Sequence, residues 1–229
     1  MLECLRIMRM KQGEMMEVKK AIIFDMDGTL WDSADNVAIS WNIAMEQFGY
    51  EREPINENDM QSVMGKTMDK IAEILFDKVE GEERAALLEL ACKVENDYLR
   101  EHGGVLYPEI RATMETLKKD YRLFIVSNCQ SGYIEAFLDY YQFHDLVEDI
   151  ECFGNNNKPK SENIALICER NHVAKEDAVY VGDIQGDYDA SMGAGVKFIH
   201  AAYGFGTINA AVPKLNAFKE LPEIVKQVF

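Results

Sequence analysis

Residues 21 to 29 of this 229-residue chain read Ala-Ile-Ile-Phe-Asp-Met-Asp-Gly-Thr, an apolar run that stops abruptly at a polar turn. An apolar run without alternation is typical of a strand that is buried on both faces of a parallel sheet. Two carboxylates, Asp25 and Asp27, follow at once, and Gly28 permits a turn that brings both into one cleft. The segment therefore predicts a buried strand with two acids at its carboxyl end.

Three later segments repeat this design, each with an apolar run that leads into small or polar residues: 123–126 before Ser127, 178–181 before Gly182, and 196–199 before His200. Helical periodicity lies between and after them, at 110–119, 133–141, 164–170 and 187–192, the last ending at Gly193. Strands that alternate with helices predict an α/β fold with a doubly wound, Rossmann-like parallel sheet. Ligands of such sheets bind beyond the carboxyl ends of the strands, where all of these turns fall.

Residues 32–104 have a different character, with four predicted helices at 34–48, 57–64, 68–76 and 82–101 and no predicted strand. Because this block is too long for an ordinary crossover, we interpret it as an inserted all-helical cap domain. The α/β core then comprises 16–31 and 105–229. We expect residues 1–15 to be a disordered tail or the product of a misassigned start.

Polar residues suited to phosphate follow the second strand. Ser127 and Asn128 offer a hydroxyl and an amide to phosphate oxygens. Further along, Lys158 and Lys160 precede a helix for which Ser161 is the expected N-cap, so either lysine can lie close to the strand ends.

The third strand ends in Asp183, with Asp187 four residues later. Hard cations such as Mg²⁺ take carboxylate oxygens in octahedral geometry. Asp25, Asp183 and a carbonyl near Asp27 can supply such a site, which predicts a magnesium centre at this edge of the sheet.

Together, in this order and at these strand ends, these residues resemble the haloacid dehalogenase-like superfamily. The resemblance is to the phosphatase branch with a helical cap, like the phosphoglycolate phosphatases and β-phosphoglucomutases. It runs from about residue 20 to the end and is carried by Phe-Asp-Met-Asp-Gly-Thr-Leu at 24–30, followed by Asp32 and Ser33. It implies a Mg²⁺-dependent phosphatase that hydrolyses small phosphate monoesters through an aspartyl-phosphate.

The resemblance also implies residue roles. Asp25 is the nucleophile, Asp27 the general acid and base, and Ser127 with one lysine the phosphate clamp. The expected metal-binding residues are Asp25, Asp27, Asp183 and Asp187, the last supporting either the metal or the lysine. The expected phosphate- or substrate-binding residues are Gly28, Thr29 and Asn128 in the core and Gly65 and Lys66 in a cap loop.

Three points stay open at this stage. Lys158-Pro159 matches half of a Lys-Pro-x-Pro pattern, whereas Lys160 begins Lys-x-Glu-Asn-Ile, another pattern of the superfamily; we favour Lys160 and keep Lys158 as the alternative. Glu109 stands where relatives usually have Gly. Lys66 either meets an anionic or hydroxylated leaving group or lies solvated on a turn.

Rival functions are a sugar phosphomutase of the same superfamily, a phospho-accepting regulatory domain and a non-catalytic binding protein. Chain length, the helical block and Asp27 argue against the regulatory domain. The binding protein is disfavoured because none of the four groups of site residues is missing: the segment at 25–29, Ser127-Asn128, the lysine, and Asp183 with Asp187.

The formal charge of −16 disfavours nucleic acid and anionic membranes as partners. Five scattered cysteines indicate reduced thiols, and no signal peptide or membrane span is recognised. We therefore expect a cytoplasmic monomer or weak dimer that acts on a small phosphorylated metabolite.

Overall fold

The computed structural model describes residues 19–229; the expectation for residues 1–15 lies outside them. The strands are β1 (Ala21–Phe24), β2 (Trp31–Asp32), β3 (Val105–Leu106), β4 (Arg122–Ser127), β5 (Asp149–Cys152), β6 (Ala178–Gly182), β7 (Lys197–Ala201) and β8 (Lys214–Leu215). The helices are α1 (Ala34–Phe48), α2 (Glu57–Gln61), α3 (Met68–Leu75), α4 (Gly81–His102), α5 (Ile110–Leu117), α6 (Tyr133–Tyr141), α7 (Phe153–Asn156), α8 (Lys160–Arg170), α9 (Gln185–Ala194) and α10 (Leu221–Val228).

The main sheet has six parallel strands in the order β5-β4-β1-β6-β7-β8. The chain adds β4 and β5 on one side of β1 and then returns to add β6 on the other. A crevice at the carboxyl ends, beside β1, is the usual ligand site of such a sheet. The α/β prediction is therefore confirmed, and the site follows from the topology.

The two edge strands, β5 and β8, were not predicted. In β5 the sequence Asp-Ile-Glu-Cys alternates polar and apolar residues, and β8 has only two residues. Because edge strands have one free side and are short or polar, they lack the apolar run that marks β1, β4 and β6.

The block between β2 and β3 is helical, as expected. Helices α1 to α4 fill it, with α2 shorter than predicted, because the chain turns after Gln61. One expectation is wrong here: β2 and β3 form a two-stranded antiparallel ribbon, in which Asp32 pairs with Val105 at the root of the helical block. The assignment of 32–104 as a separate cap domain stays a prediction.

Two predicted helix ends are also wrong. Helix α8 begins at Lys160 after Pro159, whose extended backbone makes it the N-cap instead of Ser161. Helix α9 continues through Gly193 to Ala194, because the following Gly195 is the residue with the left-handed φ of +79° that terminates the helix.

Glu109, which stands where relatives usually have Gly, lies in the linker that returns to the core, in a backbone conformation that favours glycine. Its φ of 65° lies in the left-handed region, where glycine is favoured, and its carboxylate lies 3.2 Å from the Lys219 ammonium. Trp31 and Trp41 are fully buried, as expected of packing residues. No helix among residues 19–229 has the length and hydropathy of a membrane span, and the four cysteines in that range are free thiols.

Candidate active site

The register of the central strands brings three strand ends together. Phe24 aligns with Ile125 of β4 and with Val181 of β6. The Asp25 amide continues the ladder by donating to the Val181 carbonyl at 2.9 Å. Asp25 therefore leaves the sheet between Ser127 and Asp183, which end or follow the neighbouring strands.

Lys160, not Lys158, contacts the acids. Its ammonium lies 2.8 Å from Asp25 Oδ1 and 2.6 Å from Asp187 Oδ1, and the residue is 5% exposed. As the first residue of α8, Lys160 has a Cβ that points toward the helix N-terminus and so toward the sheet edge. Lys158 lies two residues before the start of α8, with an exposed side chain. The geometry therefore favours Lys160 for the phosphate clamp.

Asp187 holds both the lysine and the loop after β6. Its Oδ2 accepts hydrogen bonds from the amides of Asp183 at 3.0 Å and of Ile184 at 3.2 Å, while Oδ1 accepts from Lys160. With both oxygens engaged, Asp187 orients the ammonium toward Asp25.

Three buried acids, Asp25, Asp183 and Asp187, offer carboxylate oxygens that lie within 4.8 Å of one another. Burial, followed by the charge of Asp187, raises the pKa of Asp25 to about 7 and that of Asp183 to about 8. One ammonium cannot balance three carboxylates, so the site has an excess of negative charge and hard oxygen donors. Such a donor set fits a divalent cation. The Asp27 carboxylate lies outside this group, and a carbonyl near Asp27 as a metal ligand stays a prediction.

Close packing of glycines allows the acids to approach one another. Gly28 has a φ of +79°, and a Cβ there would lie 2.1 Å from Asp183 Oδ2. Gly204 has the same function, since its Cβ would meet the Gly28 carbonyl at 2.2 Å. The next amide, of Phe205, donates to Asp183 Oδ2 at 2.7 Å. Gly204 and Phe205 were not recognised in the sequence, because no motif precedes them.

Asp27 is held by two hydroxyl groups. Its Oδ1 accepts hydrogen bonds from Ser33 Oγ at 2.7 Å and from Tyr133 Oη at 2.6 Å. Desolvation in the cleft raises the pKa of Asp27, although these two hydrogen bonds oppose the shift. A carboxyl group with a raised pKa is suited to proton transfer near neutral pH.

The remaining predicted residues of the core divide into two groups. Ser127 and Asn128 line the cleft beside Asp27. Thr29 does not: it is fully buried, and its hydroxyl has no hydrogen-bond partner among the described residues. The Thr29 side chain is therefore not exposed to a phosphate in this conformation.

The predicted cap loop does face the core. Asn128 Nδ2 donates to the Gly65 carbonyl at 2.9 Å, and a Cβ at Gly65 would meet the Ile184 side chain at 2.4 Å. Lys66 lines the same cleft, but its ammonium donates to the Ser62 carbonyl at 3.0 Å and the residue is exposed.

Two tyrosines at the site were missed. Tyr133 on α6 reaches Asp27, and Tyr180 on β6 donates to the Val126 carbonyl at 2.7 Å and lies 3.3 Å from Asp25 Oδ1. Both occupy apolar positions of their elements, so the sequence pattern indicates packing only.

Comparison with known proteins agrees with this geometry. The family model for haloacid dehalogenase-like hydrolases matches residues 22–201. A phosphoglycolate phosphatase of Aquifex aeolicus is 30% identical over 200 residues, which cover 85% of this chain and 90% of that protein. A phosphoglycolate phosphatase of Nitrosospira multiformis is 27% identical over 196 residues, or 81% and 84% of the two chains.

Solved structures show the same fold. The crystal structure of a haloacid dehalogenase-like hydrolase from Bacteroides fragilis has a TM-score of 0.76 at 24% identity, and covers 89% of this chain and 99% of that one. That of a predicted phosphoglycolate phosphatase from Haemophilus somnus has a TM-score of 0.74 at 22% identity, with coverage of 92% and 99%.

The chain therefore belongs to the haloacid dehalogenase-like hydrolase family. Its curated relatives place it in the phosphatase branch of that family, whose members hydrolyse phosphoric monoesters. This assignment confirms the predicted resemblance and the predicted enzyme class.

Proposed function

We propose that this protein is a magnesium-dependent phosphatase of small phosphate monoesters that transfers the phosphoryl group first to Asp25 and then to water. The observation that carries the proposal is the pairing of the buried Asp25 carboxylate with the Lys160 ammonium at 2.8 Å, at the end of the central strand. An anionic nucleophile can approach an anionic phosphate only where fixed positive charge offsets their repulsion.

In the first displacement, a carboxylate oxygen of Asp25 attacks phosphorus, and the bond from phosphorus to the ester oxygen breaks. Asp27, held by Ser33 and Tyr133, donates its proton to the leaving oxygen. Lys160 and the Ser127 hydroxyl bind the oxygens of the transferring group.

In the second displacement, a water molecule attacks the phosphorus of the aspartyl-phosphate. Asp27, now ionised, accepts a proton from that water, and the bond from phosphorus to Asp25 breaks. Inorganic phosphate is released and both acids return to their starting states.

Asp25 and Asp183 would hold the metal ion, with Asp187 close by. A bound Mg²⁺ supplies positive charge that stabilises the transition state at phosphorus. The donor set consists of oxygens only, which favours Mg²⁺ over softer cations.

The helical block limits the size of the ester. The cleft between Asp27 and the Gly65 loop is narrow, with a cavity volume of ≈ 30 Å³. A small leaving group fits beneath the cap with little opening, whereas a phosphoprotein does not. The relatives named phosphoglycolate phosphatase make phosphoglycolate the natural reference ester.

The test compares Asp25→Asn with Asp189→Asn on a panel of small phosphate esters, with and without Mg²⁺. Asp189 is an exposed acid of α9 that accepts a hydrogen bond only from Gln185 among the described residues, so it is a matched control. We expect Asp25→Asn to lose several orders of magnitude in kcat and Asp189→Asn to keep it. Retention of more than about a hundredth of the activity by Asp25→Asn contradicts the proposal. Analysis of the products also separates hydrolysis from a sugar phosphomutase reaction, which has the same motifs.

A further inference from the structure

The cap side of the cleft contains an acid that the reaction does not use. Glu95 of α4 lies in the buried stripe Leu87, Ala91, Glu95 and Leu99 and is 3% exposed. Its Oε2 accepts a hydrogen bond from Trp41 Nε1 at 2.5 Å. Glu95 and Trp41 line the same cleft as Asp27. A carboxylate that is buried at such a position needs a polar or cationic partner.

Beside Glu95, two side-chain acceptors without a partner line this cleft. Asn128 Oδ1 and Gln130 Oε1 are buried, and neither has a hydrogen-bond partner among the described residues. Buried side-chain oxygens are rarely left without a donor, and those that are require an explanation. Both belong to the loop after β4, within three residues of Ser127.

The orientation of these amides is fixed by their neighbours. Asn128 must direct its nitrogen to the Gly65 carbonyl, since an oxygen there would face another acceptor. Asn96 directs its nitrogen to the Ser131 carbonyl, so its oxygen accepts from Gln130 Nε2. The atoms without a partner, Asn128 Oδ1 and Gln130 Oε1, are therefore both hydrogen-bond acceptors.

Among residues 19–229, no cation in the cleft balances Glu95. Of the residues that the structure describes, Lys66 alone is basic among those that line the cleft, and its ammonium is exposed and donates to the Ser62 carbonyl. Lys160 is engaged by Asp25 and Asp187. The other side chains that line the cap side are apolar: Val37, Met60, Met64, Met68 and Ile71.

We propose that Glu95, Asn128 and Gln130 form a leaving-group subsite that selects esters ending in a hydrogen-bond donor, an ammonium or a hydroxyl, and rejects esters ending in a carboxylate. This inference rests on the proposed phosphatase function and names its substrate class. An ammonium has three protons to donate and a hydroxyl has one, so either can pair with acceptors of this subsite, whereas a carboxylate would place like charges together in a desolvated pocket. Burial also raises the pKa of Glu95 to about 7, as expected of an acid that lacks a cationic partner.

The subsite predicts that phosphoglycolate, the ester in the names of the curated relatives, is a poorer substrate of this protein than esters that end in a hydrogen-bond donor. Phosphoglycolate carries a carboxylate on a two-carbon leaving group. Phosphoethanolamine and ethylene glycol phosphate have the same skeleton with an ammonium and a hydroxyl, and ethyl phosphate has a methyl group. These four esters differ only in the terminal group of the two-carbon leaving group.

The experiment measures kcat/KM for the four esters and for an aryl phosphate with wild-type protein, Glu95→Gln and Glu89→Gln. Glu89 is an exposed acid of the same helix and serves as the matched control. Gln at 95 keeps the shape and an acceptor for Trp41 but removes the charge. We expect wild type to prefer each donor ester over phosphoglycolate by about tenfold or more, because like charges in a desolvated site cost at least that factor.

Glu95→Gln should reduce the ratio of phosphoethanolamine to phosphoglycolate by about tenfold, and Glu89→Gln should leave it unchanged. Phosphoglycolate as the best ester, or a ratio that Glu95→Gln does not change, overturns the subsite. Hydrolysis of the aryl phosphate alone also overturns it, while the proposed function stands. If no ester is hydrolysed, the proposed function fails and the subsite with it.

Discussion

Replacement of Lys160 by Met tests the charge balance of the site. The ammonium lies 2.8 Å from Asp25 Oδ1 and 2.6 Å from Asp187 Oδ1, in a position that water hardly reaches. Methionine retains most of the volume of the side chain and removes the charge. Lys158→Met is the matched control, because Lys158 lies two residues away with its side chain exposed.

The expected loss can be derived from these contacts. A donor aimed at the charge of a transition state contributes roughly 3–4 kcal/mol in a desolvated site, so Lys160→Met should lower kcat by about 10²- to 10³-fold. Loss of one partner from a buried ion pair also destabilises the fold by roughly 3–5 kcal/mol. Lys158→Met should change kcat by less than about twofold, as expected of an exposed residue.

The assay is steady-state hydrolysis of an aryl phosphate at saturating Mg²⁺, with thermal unfolding of each variant as the folding control. The double variant Lys160→Met/Asp187→Asn separates catalysis from stability, because it removes the charge of Asp187, one of the two carboxylates that Lys160→Met leaves unpaired, and keeps Asp25. It should recover a large part of the lost stability and none of the lost activity. A larger loss from Lys158→Met, or a loss below about tenfold from Lys160→Met, would refute the reasoning.

Three further predictions concern the metal, the linker and the buried acid of the cap. Removal of divalent cations with a chelator should lower activity by at least about a hundredfold, with recovery in Mg²⁺ and poor recovery in Ca²⁺; full activity in chelator would remove Asp183 from the mechanism. Glu109→Gly should be about 1 kcal/mol more stable than Glu109→Ala in chemical denaturation, because both lose the Lys219 contact but only Gly relieves the φ of 65°; equal stabilities would show that the position is unstrained. Burial raises the pKa of Glu95 from 4.5 to about 7, so the folded state binds this proton more tightly than the unfolded state, and the resulting stability is present below about pH 4.5 and lost as pH rises through 7. The free energy of unfolding of wild type, measured in Mg²⁺, should therefore fall by up to about 3 kcal/mol across this range relative to Glu95→Gln, and parallel curves would contradict the raised pKa.

The buried strands were predictable because their environment is uniform. A strand that is covered on both faces, such as β1, needs apolar residues at every position. The acids that follow such a strand are therefore easily recognised in the sequence. The edge strands β5 and β8 have no such environment, so their sequences carry no distinct pattern.

The site was predictable only where residues follow strands. The choice between Lys158 and Lys160 depends on the residue at which α8 begins, and a Pro-Lys-Ser sequence allows more than one start. Tyr133 contacts Asp27 across 106 positions of sequence, which only the packing of α6 determines. Glu95 did leave a signal, an acid in a stripe of apolar residues four apart.

The central claim is that the phosphoryl group is carried by Asp25, and trapping of the adduct tests it most directly. The variant Asp27→Asn, given an aryl phosphate whose leaving group needs no proton, should form the aspartyl-phosphate and hydrolyse it slowly. Acid quenching and peptide mass spectrometry should then find one phosphoryl group on the peptide that contains residues 21–29, located at Asp25, and none in Asp25→Asn. A phosphoryl group at Asp183, or hydrolysis of the ester with no protein-bound phosphate at any time during turnover, would contradict the account.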